Sequence, residues 1–153
     1  MMLIISPMSI EDLPSVMELE QESFSTPWSL DAFAAELERD ISHFHVAREE
    51  EGGAVLGFIC FWTLMDEAHI LNIAVNKEYR RRGVGRALAI GALKAARRLG
   101  AKTATLEVRE KNRPATGLYE GLGFVRAGLR VGYYEKPNDN AVIMWHYDIG
   151  SLA

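Results

Sequence analysis

The spacing of apolar residues changes several times along the chain, and each change predicts a new secondary-structure element. A short apolar run at residues 3–5 predicts a first strand, and two segments with apolar residues at helical spacing follow it. Ser9 and Asp12 are typical of the start of the first helix, and Ser29 is typical of the start of the second. The later pattern is alternating or continuous and predicts strands at residues 44–46, 55–64 and 68–75.

The second half of the chain alternates between helical and extended patterns. The predicted helices cover residues 83–99 and 114–121, and the predicted strands cover residues 103–108, 124–134 and 141–149. Strands joined by short turns pair antiparallel, whereas a strand–helix–strand unit pairs parallel. The sequence therefore predicts an α+β fold with a mostly antiparallel mixed sheet, a central β-α-β crossover and flanking helices. We expect a single domain over residues 1–153, because no repeat or linker-like stretch divides it.

Composition and charge exclude several classes of protein. The 153 residues are 48% apolar and 25% charged, and the net charge of −4 argues against direct nucleic-acid binding. No run of about 18 apolar residues is present, so we expect no membrane partner. The single cysteine, Cys60, excludes an intrachain disulfide and favours a cytoplasmic location. The four histidines lack the spacing of metal ligands, so we expect no metal.

A strand, a basic stretch and a glycine pair that opens a helix follow one another between Ile73 and Leu88. Glycine lets a ligand approach the backbone closely, and the free N–H groups at a helix N-terminus bind phosphate. Several arginines add positive charge to this segment: Arg80, Arg81, Arg82 and Arg86. The segment therefore predicts a site for a pyrophosphate or a 3′-phosphate.

Three phosphate-binding motifs can be compared with this loop. A P-loop requires Gly-Lys-Ser/Thr, but Gly85 is followed by Arg-Ala. The dinucleotide fingerprint G-x-G-x-x-G/A requires glycine or alanine where this chain has Leu88. The coenzyme A loop, R/Q-x-x-G-x-G/A, is matched by residues 80–85. A helix start with a solvated basic face is the alternative interpretation.

Two side chains outside the loop suit acid–base chemistry. Glu107 places a carboxylate inside an apolar strand, and burial makes a carboxylate a stronger base. Tyr119 follows in the next helix, and a tyrosine with a pKa of about 10 can protonate a departing thiolate. Between them, Asn112 can bond a ligand amide or cap the helix. The alternatives are an exposed strand-edge carboxylate and a packed aromatic ring with its hydroxyl in water.

These segments together resemble the GNAT family of acetyl-CoA-dependent N-acetyltransferases. The resemblance is concentrated in residues 71–124, which include the glycine loop and the motif N-x-x-A-x-x-L-Y-x-x-x-G-F that begins at Asn112. Two further segments, Thr26–Ser29 and Gly132–Tyr134, resemble the RimI type within this family. Enzymes of that type acetylate the N-terminal alanine of a small-subunit ribosomal protein. One departure is Gly132, which stands where asparagine is common.

The resemblance implies roles for individual residues. Glu107 is the expected general base, and Tyr119 is the expected general acid. The expected contacts to acetyl-CoA are Ile73, Ala74, Val75, Arg81, Arg82, Gly83, Val84, Gly85, Arg86 and Asn112. The residues expected to border a peptide groove are Trp28, Tyr133 and Tyr134. The implied donor is acetyl-CoA without a metal, and the implied acceptor is a protein N-terminus.

Two other functions fit the same motifs. The first is acetylation of a lysine or a small-molecule amine, for which a deep closed acceptor pocket is expected. The second is a non-catalytic acyl-CoA-binding module, in which Glu107 and Tyr119 would not converge on the thioester. A covalent acetyl-enzyme at Cys60 is disfavoured, because this cysteine lies in an apolar stretch without a neighbouring base.

Overall fold

One mixed sheet forms the centre of the computed structural model, which describes residues 2–152. Its strands are β1 (Ile4–Pro7), β2 (Ser42–Arg48), β3 (Gly57–Leu64), β4 (Glu67–Val75), β5 (Thr103–Arg109), β6 (Val125–Tyr134) and β7 (Asp139–His146). The α-helices are α1 (Leu13–Ser23), α2 (Leu30–Leu37), α3 (Val84–Arg98) and α4 (Arg113–Gly121). Within this described range, no helix is both long and apolar enough to cross a membrane.

The strand order is β1-β2-β3-β4-β5-β7-β6. β4 and β5 pair parallel, and the other neighbouring strands pair antiparallel. Helix α3 makes the crossover between β4 and β5, as a parallel pair requires. The predicted α+β fold with its central β-α-β unit is confirmed, and the predicted elements differ from the observed ones mainly at their ends.

Local side-chain caps explain where two of the helices begin. The Ser29 hydroxyl accepts a hydrogen bond from the Ala32 N–H at 3.1 Å and starts α2. The Asn112 side-chain oxygen accepts from the Ala115 N–H at 3.2 Å and starts α4. Both contacts satisfy amides that have no partner within the helix. Of the two roles expected for Asn112, the helix cap is therefore the one that its side-chain oxygen performs.

The helices cover the two faces of the sheet unequally. On one face, α3 and α4 pack over a large apolar cluster that includes Leu88, Leu106 and Tyr119. On the other face, α1 and α2 pack over a smaller cluster on β2, β3 and β4, which includes Phe33 and Phe58. The part of this second face formed by β5, β7 and β6 carries partly and fully exposed side chains instead. One half of the sheet is therefore open on this side.

Candidate active site

The parallel pairing of β4 and β5 stops halfway along β4. Residues Glu67–Ile70 pair with Thr103–Leu106, and the pairing ends there. In the following half of β4, residues 72–75 keep their pairing with β3, and Leu71 is left without a partner there. The other edge of this half has no strand partner within the described residues. The two strands therefore diverge into a cleft with free backbone hydrogen-bonding groups along one wall.

A β-bulge lies where the cleft begins. Phe61 pairs with Ile70 and Cys60 pairs with Asn72, so Leu71 is the extra residue in β4. A bulge redirects the side chains that follow it, and bulges are frequent beside active sites. Here the bulge turns Asn72 toward α1, where its amide reaches a carboxylate of that helix.

The glycine loop places free amides at one end of this cleft. The first N–H bond inside α3 runs from Ala87 to the Gly83 carbonyl at 3.0 Å, so the preceding amides of the helix have no partner within it. Gly83 has a φ of +84° and Arg81 a φ of +64°, so the backbone is left-handed on both sides of Arg82. Such a backbone directs successive N–H groups toward one point, as anion-binding loops do. The loop therefore suits the pyrophosphate of coenzyme A.

Gly85 connects the loop to the cleft. A Cβ at this position would lie 3.7 Å from both the Val75 and the Leu118 side chains, on β4 and α4. The helix start, the end of the free strand and α4 therefore converge at one place. A ligand can run from the loop along residues 73–75 into the cleft, which is the path expected for the extended arm of acetyl-CoA.

The arginines of the loop have different surroundings. The Arg82 guanidinium lies over the Tyr79 ring, 5.3 Å from its centroid, and the Arg80 Nε donates to the Val75 carbonyl at 3.3 Å. Arg81 and Arg86 are exposed. Arg80 is thus tied to the end of β4, whereas the other three arginines are available to an anion at the helix start.

Glu107 and Tyr119 lie on opposite faces of the sheet. Leu106 and Val108 point into the cluster under α3 and α4, and strand alternation directs Glu107 to the open face. Tyr119 lies in α4 and belongs to the cluster on the α3 side. The glycine loop opens α3, which packs on the same face of the sheet as Tyr119.

Tyr119 is buried, with 3% of its surface exposed, and its ring packs edge-on against Phe124 at 5.5 Å. Burial raises the pKa of the Tyr119 phenol above its usual value, because the charged phenolate is poorly solvated there. The hydroxyl therefore stays protonated at any physiological pH. A group in that state can give a proton to a leaving thiolate.

The side chain of Glu107 is half-buried, with 24% of its surface exposed. Its nearest cation is Arg130 of β6, whose Nε lies 3.5 Å from the carboxylate Oε2. That oxygen has no hydrogen-bond donor among residues 2–152. The expectation of a carboxylate inside the strand is met only in part, since alternation places Glu107 on the open face rather than in the core.

The hairpin between β6 and β7 borders the open face. The Tyr133 and Tyr134 rings meet edge-on at 5.1 Å, and the Arg109 guanidinium lies 4.4 Å from the centre of the Tyr134 ring. Arg109 also donates to the carbonyls of Glu135 and Pro137, at 3.0 and 2.8 Å. The strand that carries Glu107 therefore also fixes the hairpin with the two tyrosines.

The conformation of Gly132, in the same hairpin, explains why glycine can stand where asparagine is common in the RimI type. Its φ is +66°, and its N–H donates to the Asn140 side-chain oxygen at 2.9 Å. Glycine adopts this left-handed conformation freely, and asparagine adopts it more readily than other residues with a side chain. An exchange of asparagine for glycine therefore preserves the turn.

Trp28 lies between α1 and α2, on the face of the sheet whose other half is open. Its ring packs against Phe33, with 5.3 Å between centroids, and its backbone N–H donates to Glu20 at 2.8 Å. The sequence assigned no role to Glu20, Asn72, Arg109 or Arg130, although Asn72 and Arg109 belong to segments that resemble the RimI type. The signal for Glu20 was its position, as a charged residue, on the apolar face of the first helix.

Cys60 is fully buried on β3, and its Sγ lies 3.5 Å from the Ser42 hydroxyl. Burial raises the pKa of the Cys60 thiol to about 12. Because the thiolate is the nucleophilic form, this cysteine is unsuited to form an acetyl intermediate. The predicted buried thiol is confirmed.

An opened parallel strand pair beside a helix N-terminus with free amides suits a coenzyme A-dependent acyltransferase. Residues 13–124 match the model of the acetyltransferase (GNAT) family, and the chain belongs to this family. It is therefore an acetyltransferase, and the donor of this family is acetyl-CoA. The predicted enzyme class and donor are confirmed.

Several relatives resemble the chain over most of its length. It is 39% identical over 139 residues, covering 90% of this chain and 91% of the relative, to a Bacillus subtilis protein provisionally named a ribosomal protein bS18-alanine N-acetyltransferase. The bS18-alanine N-acetyltransferase of Escherichia coli K12 is 35% identical over 142 residues, 92% and 94% of the two chains. The crystal structure of the Escherichia coli S18-alanine enzyme matches with a TM-score of 0.86 at 34% identity, covering 94% of this chain and 92% of that one. The predicted resemblance to the RimI type is confirmed.

Proposed function

We propose that this acetyltransferase transfers the acetyl group to the N-terminal alanine, or another small N-terminal residue, of a small-subunit ribosomal protein. The names of its relatives in Escherichia coli and Bacillus subtilis support this acceptor. The observation that carries the proposal is the open face beside the cleft. The acceptor base lies on this face between two aromatic borders, Trp28 on one side and the Tyr133–Tyr134 pair on the other.

The open face favours an extended chain over a small amine. Tyr133 is 51% exposed and the side chain of Arg130 is 53% exposed, so neither closes a pocket over Glu107. A peptide can lie across such a surface with only its first residue in the cleft. A small amine that binds tightly needs a concave pocket that encloses most of its surface.

The protonation state of the acceptor supports an N-terminal amine. An α-amino group has a pKa of about 8, so a sizeable fraction is neutral at physiological pH. A lysine side chain, with a pKa of about 10.4, is only about 0.1% neutral there. A single carboxylate such as Glu107 is therefore a sufficient base for an N-terminal acceptor.

The proposed reaction is a direct transfer within a ternary complex. The neutral amine enters from the open face and attacks the thioester carbonyl carbon, while Glu107 accepts the proton that the amine loses. A free backbone N–H in residues 73–75 donates to the carbonyl oxygen as it becomes negative. As the C–S bond breaks, Tyr119 protonates the departing sulfur. The products are an acetylated N-terminus and coenzyme A.

A panel of acceptors tests this proposal. The purified enzyme is incubated with acetyl-CoA and peptides that begin with alanine, serine or a bulky residue, and the products are read by mass spectrometry. Each peptide is paired with a copy that is blocked at its N-terminus and contains a lysine. We expect acetylation of the free alanine and serine peptides and little of the blocked ones. Equal rates on blocked peptides, or activity on polyamines alone, would contradict the proposal.

A further inference from the structure

Glu20 is a charged residue buried in the apolar cluster beneath α1 and α2, with 1% of its surface exposed. Both carboxylate oxygens accept hydrogen bonds. Oε2 accepts a hydrogen bond from the Trp28 N–H at 2.8 Å, and Oε1 accepts from the Asn72 side-chain amide. Burial of a carboxylate costs free energy unless hydrogen bonds compensate it. The burial of Glu20 therefore needs an explanation.

The two hydrogen bonds connect segments that are remote in sequence. Asn72 follows the bulge at Leu71, on the free half of β4 that forms one wall of the cleft. Trp28 ends the segment between α1 and α2, on the face of the sheet to which Glu107 points. Glu20 therefore joins one wall of the cleft to this segment.

The segment between α1 and α2 has few other contacts that hold it in place. The Trp28 ring rests on Phe33, and the next residue, Ser29, begins α2. The other hydrogen bond that holds the start of the segment is the Phe24 N–H to the Glu20 carbonyl, at 3.1 Å. Glu20 thus binds the segment at both ends, through its backbone at Phe24 and through its side chain at Trp28.

We propose that Glu20 is a positioning residue for the acceptor, which acts by fixing the Trp28 segment to Asn72 at the mouth of the cleft. This inference rests on the proposed function, in which Trp28 borders the peptide. Loss of the carboxylate releases the segment and misplaces the peptide relative to the thioester. The donor site, formed by the glycine loop and residues 73–75, keeps its own contacts.

The first test is a comparison of two Michaelis constants in Glu20→Ala. We expect the KM for an alanine-initiated peptide to rise about tenfold or more, because a charge-assisted hydrogen bond is lost, while the KM for acetyl-CoA changes less than about twofold. The control is Glu18→Ala, an exposed residue of the same helix, which should leave both constants unchanged. Amide exchange by mass spectrometry should rise in residues 24–29 and stay unchanged in α3.

A second pair of variants addresses the stability of the fold. Asn72→Asp places a second carboxylate against Glu20 and should raise the peptide KM. Adding Glu20→Gln supplies an amide that can donate to this new carboxylate, while its oxygen still accepts from the Trp28 N–H. We expect the double variant to recover a peptide KM within about threefold of the original. A side chain that merely stabilised the fold would change the melting temperature without this selective loss and rescue.

Several results would overturn the proposal. Unchanged peptide KM in both single variants, equal changes in the two Michaelis constants, or no rescue in the double variant would each do so. Failure of the proposed function is recognised separately, since the original enzyme would then acetylate none of the peptides or would not prefer the free N-termini to the blocked copies. In that case the amide exchange of residues 24–29 decides whether Glu20 holds the segment, and unchanged exchange in Glu20→Ala refutes it.

Discussion

Arg130 faces Glu107 across the intervening strand β7, with its Nε 3.5 Å from the carboxylate Oε2. This distance is longer than that of a normal charged hydrogen bond. Arg130 therefore balances the negative charge of Glu107 without donating a hydrogen bond to Oε2. Arg130 also lies over the Tyr133 ring, 5.1 Å from its centroid. Oε2 of Glu107 is buried and has no hydrogen-bond donor among residues 2–152, so it keeps an unused acceptor position beside Arg130.

Replacement of the base should separate chemistry from donor binding. In Glu107→Gln we expect kcat to fall by about 10²–10⁴-fold, the usual contribution of a general base, because the amide cannot accept the proton. Calorimetry should give an unchanged affinity for acetyl-CoA, since the volume of the side chain is kept. Glu120→Gln, on the exposed side of α4, is the control and should retain full activity. A Glu107→Gln enzyme with full kcat would exclude Glu107 as the base.

Tyr119→Phe should reduce kcat by a similar or smaller factor, because it removes only the proton for the leaving thiolate. Since burial raises the pKa of the Tyr119 phenol, the pH–rate profile of the original enzyme should show no fall from tyrosine ionisation up to about pH 10. The loss in Tyr119→Phe should therefore be the same at pH 7 and pH 9. A loss that disappears at one of these pH values would contradict the assignment.

Gly85→Val should weaken acetyl-CoA binding. A Cβ at Gly85 meets its neighbours at 3.7 Å, which is ordinary van der Waals contact, so the first added carbon fits, and a melting curve of the variant checks that the rest of the side chain leaves the fold intact. We expect the dissociation constant measured by calorimetry to rise by about tenfold or more, equivalent to roughly 1.4 kcal/mol. The matched control is Gly121→Ala in α4, which has open space around it. Equal affinities in the two variants would refute the loop assignment.

Protein stability should fall as the pH drops below about 6.5, the ordinary histidine value. Burial lowers the pKa of His43, His45 and His69, so the unfolded chain takes up protons that the folded chain resists. Urea unfolding at pH 7.5 and 5.5 should give the lower free energy of unfolding at pH 5.5. The difference should shrink in His45→Gln, which removes one of these imidazoles. An equal or larger difference in that variant would contradict the prediction.

The sequence predicts the elements well because helices and strands are set by local periodicity. The start of α2 follows from Ser29, and the strand with Glu107 follows from its apolar neighbours. The glycine loop is likewise a local feature, since its two glycines, its arginines and the helix they open are contiguous. Geometry that depends on residues close together in sequence can therefore be predicted from the sequence.

Contacts between remote segments are the part that could not be predicted. Glu20 and Asn72 are 52 positions apart, and their contact depends on a bulge that exists only when β3 and β4 pair. The contact between Glu107 and Arg130 likewise depends on the register of three strands. The sequence places a carboxylate inside an apolar strand, but only the assembled sheet shows which face it takes. The donor side can therefore be predicted from the sequence, whereas the acceptor side requires the assembled sheet.

Because the pairing of β4 and β5 is interrupted, acetyl-CoA can stabilise the fold as well as react. The arm of the cofactor contains amide groups, and those groups can supply the hydrogen bonds that β5 withholds from Leu71–Val75. A ligand that binds only the folded state stabilises it in proportion to the logarithm of its concentration, by about 2.7 kcal/mol at a hundredfold excess over Kd. The free energy of unfolding of this fold should therefore rise with the concentration of acetyl-CoA.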